Sequence, residues 1–64
     1  MTPAQSRVLQ ALEEETRDGW PATTRQLQHR LGLRSTAMVH EHLKVLAEAG
    51  LVEQRGRQGY RVSA

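Results

Sequence analysis

Two short helix patterns joined by a glycine-containing turn constrain this 64-residue chain more than any other feature. Residues 23–31 have helical spacing, residues 32–34 form the turn, and residues 35–49 have helical spacing again. An arginine-rich segment with hairpin character, residues 51–62, follows at once. This order predicts a helix-turn-helix with a β-hairpin wing, an arrangement whose second helix can fit a DNA major groove.

The predicted helices begin at polar capping residues. Thr2 and Thr23 each precede a glutamine by three positions, the spacing of a capping box, and Ser35 is a typical N-cap residue. Apolar residues at helical spacing then predict the core: Val8, Ala11, Leu12, Leu27, Leu31, Val39, Leu43 and Leu46. We expect Trp20, the largest side chain, to cover the seam between the first helix and the rest.

The C-terminal segment is predicted to form two strands. We expect them at residues 51–55 and 60–62, joined by a turn at residues 56–59. Three apolar side chains should cover the helices: Val52, Tyr60 and Val62. The predicted fold class is therefore mainly α (α+β), a three-helix winged helix-turn-helix that forms a single domain over residues 1–64.

Charge is unevenly distributed along the chain, whose net charge is +2. Residues 1–22 carry two basic and four acidic side chains, a balance of −2, whereas residues 23–64 carry seven basic and three acidic ones, a balance of +4. The positive part contains the predicted DNA-reading elements, which suits contact with phosphates. The sequence has no cysteine, signal-peptide pattern or long apolar run, so we expect a soluble cytoplasmic protein without membrane contact or cofactor.

The outward face of the third helix is the candidate reading surface. If the apolar positions of this helix point inward, the intervening polar ones point outward. The candidate base or phosphate contacts of this helix are Ser35, Thr36, Ala37, Met38, His40, Glu41 and Lys44, and those of the second helix and the turn are Thr23, Arg25 and Arg34. The alternative is an ordinary solvent-exposed amphipathic helix.

Three arginines of the predicted wing are the candidate backbone contacts. Arg55, Arg57 and Arg61 lie close together among flexible glycines, which suits a DNA backbone or a minor groove. Alternatively, they solubilise a strand edge, and Arg61 can pair with Glu53 of the neighbouring strand.

A catalytic or metal site is not predicted. His40 and His42 lie two positions apart and diverge by about 160° on a helix, so they cannot share a metal ion. The three consecutive glutamates at residues 13–15 also point in different directions. No nucleophile with a neighbouring base is visible, and we expect neither enzymatic activity nor a small-molecule substrate.

Several of these segments, taken in one register, resemble the N-terminal DNA-binding domain of LexA-type repressors. They are residues 19–23, 31–35, 42–44 and 50–52, which read Gly-Trp-Pro-Ala-Thr, Leu-Gly-Leu-Arg-Ser, His-Leu-Lys and Gly-Leu-Val. The resemblance covers nearly the whole chain. It implies a winged helix-turn-helix that binds operator DNA as a transcriptional regulator, with the third helix in the major groove.

The chain departs from this family pattern where the third helix begins. After Arg-Ser the family typically has Pro-Asn-Ala-Ala-Glu-Glu-His, so Ala37 replaces an asparagine and His40 replaces an acidic residue. Because these two positions differ from the family pattern, we expect an operator other than the usual one of the family. LexA-type repressors also carry a self-cleaving C-terminal domain, which implies that this chain is either an excised domain or a small independent regulator.

A different function class remains open for the same fold. A winged helix can serve as a protein-binding module, for example in a small phage or plasmid factor that engages RNA polymerase or a repressor. DNA binding predicts a steep salt dependence, which protein binding does not. The predicted core leaves no heptad stripe, so we expect any homodimer to be weak or to form only on DNA.

Overall fold

The computed structural model describes residues 2–63 and has the predicted winged helix-turn-helix architecture. Within this range three α-helices precede a two-stranded antiparallel hairpin. The helices are α1 (Pro3–Glu15), α2 (Thr24–Leu31) and α3 (Thr36–Glu48). The strands are β1 (Val52–Gln54) and β2 (Tyr60–Val62), with a 3-10 turn at Gly56–Gln58 between them.

The predicted capping residues begin all three helices. The Gln5 amide donates to the Thr2 hydroxyl at 3.2 Å, and the Thr2 amide donates to the Gln5 side chain at 3.1 Å. Thr23 and Gln26 form the same reciprocal pair at the start of α2, with distances of 3.1 and 2.8 Å. The Ser35 hydroxyl accepts from the amide two residues further on at 3.1 Å. These bonds satisfy backbone amides that a helix leaves without partners.

The turn between α2 and α3 depends on a left-handed residue and a side-chain bond. Gly32 ends α2 with φ +69°, a conformation that costs little without a Cβ atom. The Leu33 amide then donates to the Gln28 carbonyl at 3.1 Å, and the Gln28 side chain donates to the Leu33 carbonyl at 3.2 Å. This pair of bonds sets the angle at which the chain enters α3.

One apolar cluster joins the helices to the hairpin. The buried residues are Val8, Ala11, Leu12, Ala22, Leu27, Val39, Leu43, Leu46, Val52 and Tyr60. The predicted stripes are therefore confirmed, except that Leu31 is half-buried and packs against the cluster from its edge. The wing packs as expected, with Val62 half-buried beside the core.

The predicted position of Trp20 is wrong. Its side chain is 69% exposed and covers no seam. The Asp18 carboxylate accepts from the Trp20 amide at 3.0 Å in a tight turn, while Ala22 takes the inward position in this segment at 1% exposure. Tyr60 of the wing is the aromatic residue that closes the core instead.

The first strand is shorter than the predicted residues 51–55. The Leu51 amide donates to the Leu46 carbonyl at 2.9 Å, so Leu51 still belongs to the end of α3. At the other end, the Arg55 amide donates to the Gly59 carbonyl at 2.7 Å inside the hairpin turn. The backbone amides of Leu51 and Arg55 are therefore bonded within the neighbouring turns, and β1 contains only the residues between them.

A single-residue bridge ties the wing to the segment before α2. Ala22 and Tyr60 exchange two backbone hydrogen bonds, at 2.9 Å and 2.8 Å, so Ala22 lies beside β2 like a residue of a third strand. Gly59 makes this approach possible, because its φ is +123° and a Cβ atom there would overlap the Ala22 carbonyl. The sequence pattern did not predict this connection.

We expect Gly59→Ala to detach the wing from α2. Its free energy of unfolding should fall about 1 to 3 kcal/mol below that of Gly56→Ala, because the new methyl group collides with backbone. Gly56 is the matched control: its φ is also positive, at +58°, but a Cβ atom there would have no neighbour within 4 Å. Chemical denaturation of both variants measures the difference, and equal losses would contradict the close approach.

We expect Leu43→Ala to destabilise the domain by about 2 to 5 kcal/mol, because the substitution leaves a cavity in the core. The control is Val45→Ala on the same helix, whose side chain is 44% exposed and whose loss should cost within about 0.5 kcal/mol. Thermal unfolding followed by circular dichroism compares the two. A Leu43→Ala variant with an unchanged midpoint would mean that the inner face of α3 is misassigned.

Candidate nucleic-acid interface

The outer face of α3 is open to solvent, as predicted. The exposed residues of its first three turns are Thr36, Ala37, Met38, His40, Glu41, Lys44 and Val45. Val39 and Leu43 lie between them in sequence but face the core. Met38 is 48% exposed and is the largest apolar side chain on this outer face. The result is a short, chemically mixed surface at the start of a helix, the part that enters a major groove in helix-turn-helix proteins.

The residues that lead into α3 are placed differently from one another. Arg34 is exposed, whereas Ser35 is half-buried and its hydroxyl is occupied as the N-cap acceptor. A hydroxyl group that accepts one hydrogen bond can still donate its own proton. Ser35 is therefore held in position with one donor left for a ligand.

The start of α2 lies beside the wing because of the Ala22–Tyr60 bridge. Thr23 and Arg25, both predicted as contacts, are exposed there, and Thr24 between them is half-buried. The Thr23 hydroxyl takes part in the capping box of α2. The bridge thus brings residues of the second helix to the surface that also contains the hairpin.

The three wing arginines are not equivalent. Glu53 lies 3.7 Å from the guanidinium groups of both Arg55 and Arg61, and Arg61 is also its register partner across the hairpin. The pairing of Arg61 with Glu53 that the sequence allowed is therefore present. The side chains of Glu53, Arg55 and Arg61 are all partly exposed, so each ion pair contributes at most about 1 kcal/mol to stability. Either arginine can therefore exchange Glu53 for a phosphate. Within residues 2–63 the structure gives Arg57, at the hairpin tip, no ion pair.

A groove of about 180 Å³ lies where α2, α3 and the hairpin meet. We call it the wing groove; its lining residues are Thr23, Thr24, His40, Gln54, Gly56, Arg57, Gly59 and Tyr60. It brings together Thr23, His40 and Arg57, which were predicted as contacts from three separate segments. Thr24 and Gln54 were missed; the predicted turn at residues 56–59 would have paired position 54 with position 61, whereas the hairpin pairs Gln54 with Tyr60.

His40 leans toward the hairpin rather than straight outward. The centroids of its ring and the Tyr60 ring are 6.3 Å apart, and the ring planes are nearly perpendicular at 83°. This is the edge-to-face geometry that aromatic pairs favour. The contact places the His40 imidazole at the wall of the wing groove, a position that helical spacing alone did not predict.

Two acidic residues of α1, Glu14 and Glu15, are paired elsewhere. Arg30 of α2 donates to Glu14 at 2.8 Å and to Glu15 at 3.2 Å. The hydrogen bond to Glu15, and then the one to Glu14, raises the pKa of the Arg30 guanidinium above its usual value. These carboxylates therefore lie beside a cation of their own, outside the residues that line the wing groove.

Two kinds of feature are absent from residues 2–63. No cluster of histidine and acidic side chains there has an arrangement that could hold a metal ion. None of the described helices has the length and apolar character needed to cross a bilayer.

The chain is similar to known DNA-binding proteins over most of its length. The protein-family model for the LexA DNA binding domain matches residues 1–59. The LexA repressor of Idiomarina loihiensis is 39% identical over 54 residues, and that of Hahella chejuensis is 41% identical over 54 residues. These alignments cover 83% of this chain but only 26% and 27% of the relatives, so the chain spans about a quarter of their length. The chain belongs to the family of LexA DNA-binding domains.

Proposed function

We propose that this chain is a single domain that binds duplex DNA in a sequence-specific manner, as the DNA-reading part of a transcriptional repressor in the cytoplasm. In this proposal α3 enters the major groove and the wing lies on the backbone or in the minor groove. One observation carries this proposal. The exposed face of α3, the start of α2 and the wing tip all contribute residues to the wing groove, and no carboxylate lines it. The family membership of residues 1–59 supports the same function.

In this proposal the exposed residues at the start of α3 contact the bases. A major groove about 12 Å wide admits a helix, and side chains from its first turns reach base edges. Met38 offers an apolar contact to a thymine methyl group, and Glu41 can accept from a cytosine amino group. Lys44, one turn further on, suits a guanine or a phosphate.

Backbone contacts fall to the basic residues around this helix. Arg25 and Arg34 are exposed at the start of α2 and before α3, and Arg57 projects at the wing tip. Arg55 and Arg61 can join them by exchanging Glu53 for a phosphate. Such contacts give affinity and orientation but carry no sequence information themselves.

Tight binding should involve two copies of the domain. One module of this kind buries only about 600 to 1,000 Å² of protein surface on DNA. We propose that two copies occupy a two-fold repeat and that they pair only when bound, with the isolated domain remaining a monomer.

Trp20 is the one observation that favours the protein-binding alternative, because a 69% exposed tryptophan is a typical interface residue. Selection of bound sequences from a pool of random duplexes decides between the two functions. Enrichment of a common motif supports DNA reading. A pool that shows no enrichment, with binding that survives moderate salt, would shift the function to protein binding.

We expect Met38→Ala to change the preference among the selected sites by about 1 to 3 kcal/mol, because a base contact is lost. The control is Val45→Ala, which removes a similarly exposed apolar side chain two turns further along α3. Competition between pairs of duplexes that differ at one base pair measures the change. Uniform weakening at every site would assign Met38 to the backbone, and no effect would exclude it from the interface.

We expect Arg57→Gln to flatten the slope of log affinity against log salt concentration by up to about 0.9, because one phosphate contact is lost. Arg61→Gln should flatten it less, since Arg61 already has Glu53 as a partner, and the double variant by at most about 2. Arg17→Gln, which removes an exposed charge after α1, is the charge-matched control. An unchanged slope in the double variant would mean that Arg57 and Arg61 do not contact phosphates and only keep the strand edge soluble.

A further inference from the structure

We propose that the wing groove binds one phosphodiester group of the DNA backbone, held jointly by the His40 imidazole and the Arg57 guanidinium. The proposal rests on the proposed function, and it gives His40 a different role from the base contact expected of an outward residue of α3. It also names a single chemical group as the link between the reading helix and the wing.

Most of the residues that line the groove have side chains that can donate to an oxyanion. It combines the hydroxyl groups of Thr23 and Thr24, the amide of Gln54, the imidazole of His40 and the guanidinium of Arg57. No carboxylate is among its lining residues. A phosphate bound there would contact the Arg57 guanidinium and several hydrogen-bond donors, and none of the lining residues would repel it with a carboxylate.

The hairpin directs its own acidic residue away from this site. Gln54 lines the groove opposite Tyr60, whereas Glu53 pairs with Arg61 at the next register position. Successive side chains of a strand point to opposite faces, so Glu53 and its two arginines lie on the other face of the hairpin. The glycines at 56 and 59 place no side chains in the opening.

His40 is held at the groove wall by a rigid neighbour. Tyr60 is 7% exposed, and its backbone is bound twice to Ala22, at 2.8 Å and 2.9 Å. The edge-to-face contact with this fixed ring orients the imidazole before any ligand arrives. Arg57, at the hairpin tip, also lines the groove.

A double-variant cycle on salt dependence tests whether one phosphate is shared. The measurements use a duplex of random sequence, because backbone contacts do not need the operator. Four proteins are compared: the unchanged chain, Arg57→Gln, His40→Phe and the double variant. His40→Phe keeps an aromatic ring against Tyr60 but removes both nitrogens, and Arg17→Gln is the charge-matched control.

If both groups contact one phosphate, His40→Phe alone weakens binding, and the double variant flattens the salt slope by about 0.9 in total. A His40→Phe variant that binds like the unchanged chain would mean that Arg57 alone contacts the phosphate, and it would overturn the shared site. A flattening of about 1.8 would mean two separate phosphates, and a slope equal to that of Arg17→Gln would mean none; either result overturns the shared site. Thermal midpoints show whether each variant is folded. If His40→Phe is not, His40→Gln takes its place in the cycle.

Nuclear magnetic resonance titrations separate the possible sources of the phosphate. We expect the random duplex to shift the signals of His40 and Arg57 at micromolar concentration, and inorganic phosphate to shift the same signals only at millimolar concentration. Saturation by micromolar inorganic phosphate would identify a free anion as the ligand and overturn the proposal. A duplex that shifts α3 signals but not those of the groove would overturn this site alone, whereas a duplex that shifts none would contradict the proposed function itself.

Discussion

Burial of one face of α3 holds the rest of the domain in place. Its inner residues Val39, Leu43 and Leu46 are buried, and α3 packs against α1, α2 and β1. In a chain of this size the same helix supplies the centre of the core and the surface proposed to read DNA. The two roles are separated only by helical periodicity. A change in helical register would exchange them, which explains why the caps and the turn before α3 are so closely defined by hydrogen bonds.

The features that were predictable from the sequence are those set by residues close together in the chain. The capping boxes at Thr2 and Thr23, the left-handed Gly32 and the apolar stripe of α3 each depend on spacings of a few residues. They fix where the helices begin and end. The division of α3 into an inner and an outer face follows directly, so the candidate reading surface was also accessible from the sequence.

The features that were not predictable depend on partners far apart in the chain. Trp20 looked like core because of its size, but a buried position also requires an unfilled space, and Tyr60 fills it from the other end of the sequence. The position of His40 beside the hairpin likewise depends on where Tyr60 lies. Periodicity gives the direction of a side chain around its helix, but it does not show what a later segment places beside it.

The bridge between Ala22 and Tyr60 joins the segment before α2 to the second strand of the wing, which has a consequence for the order of folding. Closing a long loop has an entropic cost that must be met before the closing contact adds stability, so such contacts tend to form late. The helices can associate through nearer contacts, whereas the wing gains its place only when the bridge closes. We therefore expect a nearly folded state in which the three helices are assembled but the wing is loose, and in which the surface for a nucleic acid is incomplete.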